Sequence, residues 1–146
     1  MNSTITKFGY PGTTVAEYDH WVVMLREKQI SAGCLILVCK EEQTSFPEIS
    51  LQAFAELKAV TADVETNLKE VMQFERINYI ILMMVDPHVH FHVIPRHSSA
   101  RNIAGFVIED AGWPKHPAFQ NAAPLTAGDL SVLCSALRER WKRALL

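Results

Sequence analysis

The sequence predicts a single α+β domain, an antiparallel sheet with one long helix packed on it and a second helix at the C-terminus. Three observations carry this. Short β-branched and aliphatic runs recur between polar and glycine-bearing segments, one stretch of about two dozen residues keeps helical period, and two apolar runs are joined by only Asp86 and Pro87, too short a link for a parallel crossover. At 146 residues, 49% of them hydrophobic, the chain can bury a core without a second domain.

Residues 1–20 read as an irregular N-terminal arm, because Gly9, Pro11 and Gly12 interrupt any period. Strands follow. Trp21 to Leu25 and Cys34 to Cys39 suit two antiparallel neighbours separated by polar residues and Gly33. Between Leu51 and Phe74 the apolar residues Phe54, Leu57, Val64, Leu68 and Val71 step by three and four, which predicts a long amphipathic helix with Ser50 at its cap. Asn78 to Val85 is too apolar for a half-exposed strand, and His88 to Pro95 follows it as the second arm of a hairpin. Residues 98–146 bring a Pro- and Gly-bearing excursion and then a helix from Ala127. Thr126 and Asp129 stand at capping-box spacing, and the basic run Arg138 to Arg143 suits the negative end of a helix dipole.

Charge excludes some classes of function. The formal net charge is −2 and both signs are interspersed, so no basic face calls for nucleic acid. No stretch reaches the length of a membrane span and no basic start leads into an apolar core, so a cytoplasmic protein without membrane contact is expected. Cys34, Cys39 and Cys134 lack metal-knot spacing and read as small buried hydrophobes.

Three of the six histidines fall in one five-residue stretch, at His88, His90 and His92. Strand geometry puts alternate residues on one face, so the imidazoles form a row while Val89, Phe91 and Val93 enter the core behind them. Packing does not reward imidazole at three such places. Three readings compete for the row on residue grounds alone: a transition-metal site, phosphate chemistry in which one imidazole attacks phosphorus while its neighbours donate hydrogen bonds, and a vestigial row that only binds a ligand.

His88-Val89-His90-Phe91-His92-Val93-Ile94 resembles the signature of the histidine triad (HIT) family, and Pro95-Arg96 continues the likeness. The resemblance covers about residues 21–97. It implies a homodimeric enzyme that hydrolyses or transfers a nucleotidyl group from a phosphoramidate or dinucleoside polyphosphate, with no cofactor. Carried over, His90 is the nucleophile, His92 binds the phosphate oxygens, His88 supports the site, and Arg96 assists in substrate binding. The alternatives are a nucleotide binder without turnover and a three-histidine metalloenzyme. Two departures from the family pattern stand out. Cys34 follows Gly33 where a fourth histidine is usual, and Met83 to Pro87 replaces a Gly-Gln-Ser/Thr segment that donates to phosphate. Arg101, His97, Asp86 and Asn78 are the nearby polar residues that could take up such roles.

Overall fold

The computed structural model describes residues 1–145, with side chains through Trp141. Five strands form one antiparallel sheet in the order β1-β2-β3-β5-β4: β1 (Thr14–Glu17), β2 (Trp21–Leu25), β3 (Leu35–Cys39), β4 (Arg76–Ile80) and β5 (His90–Arg96). A two-stranded ribbon, β6 (Arg101–Ile103) with β7 (Phe106–Ile108), lies beyond it. Among the described residues there are three α-helices, α1 (Ser3–Lys7), α2 (Leu51–Met72) and α3 (Ala127–Leu145), and a short 3-10 turn at Phe46–Glu48.

The expected β2–β3 pair forms in register from Trp21 opposite Cys39 to Leu25 opposite Leu35. All ten of these residues are buried, since both faces of the sheet are covered. Helix α2 packs its Val60, Val64 and Leu68 stripe on one face, joined there by Leu133, Leu137 and Trp141 of α3. The opposite face carries a smaller cluster in which Ile5 meets Val22, Met24, Ile36 and Val38.

Both helix caps form as the sequence requires. Ser50 Oγ accepts from the Ala53 amide at 3.1 Å, and Thr126 and Asp129 exchange bonds of 2.9 and 3.1 Å, so amides left without partners in each first turn are satisfied. The three cysteines are free and buried.

Two expectations are corrected. The hairpin is antiparallel, but β4 covers only Arg76–Ile80, and residues 81–89 form the connection. Leu82, Met84 and Val85 are exposed there, so their apolarity marks no central strand; β4 is an edge strand with intermediate burial. The N-terminal arm is ordered by α1, whose cap Asn2 accepts from the Ile5 amide and donates to the carbonyls of Cys39 and Glu41. That segment lies against the histidine row.

Candidate active site

Strand β5 delivers His90 and His92 side by side on the sheet face opposite α2. Their ring centroids are 5.3 Å apart and the rings are nearly perpendicular. His88 precedes the strand and remains on the same side through its contact with α1. The alternation works because Phe91 and Val93 point the other way, into the main core.

His90 is 2% exposed. Its Nδ1 lies 2.7 Å from the carbonyl oxygen of His88. A carbonyl only accepts, so Nδ1 carries the proton and Nε2 keeps the lone pair. This is the tautomer a nucleophilic imidazole needs.

His92 has the opposite arrangement. Arg26 Nε lies 3.5 Å from His92 Nδ1, and because a guanidinium only donates, Nδ1 accepts and the neutral ring holds its proton on Nε2. Burial, then the nearby Arg26 and His90, pull the His92 pKa down to about 4, so the ring is neutral at pH 7. The His92 ring therefore presents its Nε2–H beside an imidazole whose own Nδ1 is taken by a carbonyl.

His88 is held at both ring nitrogens, Nδ1 by Thr4 Oγ1 at 2.8 Å and Nε2 by the Glu42 carboxylate at 3.4 Å. Thr4 and Glu42 lie in segments that motif reading passed over. The aromatic wall was equally invisible: the Phe8 ring sits 5.6 Å from His90 and 6.5 Å from His92, and Phe119, from the loop before α3, meets His92 edge-on at 6.2 Å. No spacing rule connects residue 8 or 119 to residue 92; only the fold does.

Arg96 shares the strand face with the histidines but lies at its far end. Its guanidinium donates to both Asp110 oxygens at 2.7 and 3.2 Å and to Asn78 Oδ1 at 2.9 Å, with both charged side chains nearly sealed from solvent. Asn78 is thus spent on Arg96. His97 is buried with Nε2 on the Ala32 carbonyl, Arg101 binds the Met72 carbonyl and Glu75, and Asp86 pairs with Lys7 at 2.7 Å. Cys34 packs against Ser31, and burial pushes its thiol pKa up, so it offers no thiolate to the site. His20 lies 3.7 Å from Glu41, and His116 is exposed.

The family model for the HIT domain matches residues 8–99, which takes in the whole histidine row and most of the sheet. The chain belongs to the HIT family. Comparison with curated proteins returns no match. Among solved structures, a histidine triad protein from Sinorhizobium meliloti 1021 is 21% identical with a TM-score of 0.72, covering 96% of this chain and 95% of its own. One from Marinobacter aquaeolei VT8 is 16% identical with a TM-score of 0.72, covering 98% and 96%. A third, from Mycobacterium smegmatis, is described as zinc-bound; it is 16% identical with a TM-score of 0.61, covering 93% and 91%. At these identities the likeness is one of fold. The HIT fold here surrounds a histidine row in which His90 is held by the backbone of the motif itself and His92 and His88 by side chains from outside it.

Proposed function

We propose that this HIT protein transfers a nucleotidyl group to water or another acceptor through His90, acting on a nucleoside phosphoramidate or dinucleoside polyphosphate. The observation that carries the reading is the bond from His90 Nδ1 to the His88 carbonyl, which leaves Nε2 as a free lone pair on an imidazole whose neighbour is a neutral donor. In the first step Nε2 attacks phosphorus, the bond to the leaving group breaks, and the bond pair departs with that group. In the second, water attacks the phosphorus of the nucleotidyl-imidazole and gives up a proton to solvent, the P–N bond breaks, and His90 leaves with its lone pair restored. His92 donates to a non-bridging oxygen as charge builds there, and His88 sets the backbone carbonyl that orients His90.

Arg96 has its donors engaged by Asp110 and Asn78, so its part in this scheme is to brace the end of β5. Phe8 lies over His90, and substrate entry requires this ring to move. The homodimer implied by the family also belongs to the proposal: among the described residues no strand pairs with the outer edge of β4, which borders a cavity of about 940 Å³ lined in part by Trp113 to Pro117.

A metal reading draws on the zinc-bound relative. Here His90 Nδ1 and both nitrogens of His88 already have partners, and no group of three His, Cys, Asp or Glu side chains among the described residues is arranged to hold an ion. The favoured reading is tested by nucleoside monophosphate release from a panel of both substrate classes, with a chelator present, for the wild type and His90→Asn. Release that survives the chelator and is lost in the variant supports it; no release from any member overturns turnover in favour of binding alone.

A further inference from the structure

A cavity of about 480 Å³ lies beside the histidine row without reaching it. The described residues that line it include Lys7, Phe8, Arg26, Val85 and Asp86 and none of the three histidines. Phe8 forms the boundary. Its ring lines the cavity and also meets His90 at 5.6 Å and His92 at 6.5 Å, and His90 behind it is buried.

The two ends of α1 are held unequally. Asn2, Thr4 and Ile5 are buried, with Asn2 bonded to the carbonyls of Cys39 and Glu41 and Thr4 to His88. At the other end Lys7 is exposed and Phe8 only partly buried, and Lys7 Nζ pairs with Asp86 Oδ1 at 2.7 Å. Asp86 stands in the connection between β4 and β5, so this pair ties together two segments that both border the cavity. Gly9 follows at φ +98, a conformation glycine enters without steric cost. Latch, cover and hinge are thus three consecutive residues.

We propose that the C-terminal end of α1 is an autoinhibitory gate: Phe8 closes the row off from the cavity, the Lys7–Asp86 pair latches it, and release of the pair lets the chain turn at Gly9 and join cavity to row. The catalytic consequence rests on the reading of His90 as nucleophile, but the gate makes a claim about access that stands without it. Because Lys7 is in solvent, the latch is weak and screened by salt, which puts opening under the control of ionic strength.

The test is acylation of His90 by diethyl pyrocarbonate, a small neutral reagent for unprotonated ring nitrogens, located by peptide mass spectrometry with the exposed His116 as internal reference. Wild type, Lys7→Ala, Lys7→Arg and Phe8→Ala are compared at low and high sodium chloride. At low salt His90 of the wild type and of Lys7→Arg should react slowly, that of Lys7→Ala about two- to fivefold faster, and that of Phe8→Ala faster still. High salt should bring the wild type to the level of Lys7→Ala. Equal acylation of His90 in wild type, Lys7→Ala and Phe8→Ala, or a wild type indifferent to salt, overturns the gate. Lys7 is exposed, so its variants keep the fold, and circular dichroism checks each. Nucleoside monophosphate release run in parallel separates the two readings. Faster acylation in Lys7→Ala with no release by any form keeps the gate and defeats the His90 reading; release that is lost in His90→Asn, with acylation unchanged across the gate variants, does the reverse.

Discussion

His90 Nδ1 and the carbonyl oxygen of His88 stand 2.7 Å apart, a bond between a side chain and the backbone two residues earlier in the same strand segment. It fixes a tautomer with no help from a carboxylate. Replacing His90 by Asn removes the lone pair while keeping a side chain able to donate to the same carbonyl. Nucleotide release is expected to fall by on the order of 10³-fold or more, with the melting temperature changed little, as single-turnover assays and calorimetry would show.

Acid should destabilise the protein in a defined window. The folded pKa of His92 is lowered to about 4, below its ordinary 6.5, and burial lowers that of His97 as well. Between those values the unfolded chain binds more protons than the native one, so stability is fully present above about pH 6.5 and declines as the pH falls towards 4. Melting curves from pH 7.5 to 4 should show that decline, and His92→Asn should flatten it in part, leaving the His97 share. An unchanged slope would remove His92 from the explanation.

Asp110→Ala isolates the role of the ion pair at the other end of β5. The Arg96 guanidinium would remain buried without its carboxylate, and a loss of about 3–5 kcal/mol is expected in urea unfolding. The paired change Arg96→Met with Asp110→Leu should recover much of it, because neither charge is then left alone.

Gly33→Ala addresses the turn into β3. Gly33 has φ +88, where a side chain is strained, and an added Cβ would lie 2.4 Å from the Met72 Cε. Met72 is flexible enough to give way, so the backbone term dominates and a cost of about 1–2 kcal/mol is expected by chemical denaturation. A neutral result would mean that the turn relaxes.

Helix and strand identities were legible because burial repeats with the geometry of each element. The stripe of α2 and the strict alternation of His88, His90 and His92 are local facts, and so are the caps at Ser50 and Thr126. The extent of β4 was not. Leu82, Met84 and Val85 have strand-like composition, yet the connection to β5 leaves them in solvent, an outcome set by where Ile80 meets His92 in the register. The same limit applies to Arg96: its sequence neighbours suggested phosphate, while Asp110, fourteen residues on, claims it.

What the sequence by itself determined is the row of imidazoles and the face it occupies, since a period of two needs no partner to be read. Only the tertiary structure decided the state of each ring. Thr4, Phe8, Arg26, Glu42 and Phe119 reach the row from four separate segments, and which nitrogen of a histidine carries its proton depends on whether the group brought against it donates or accepts.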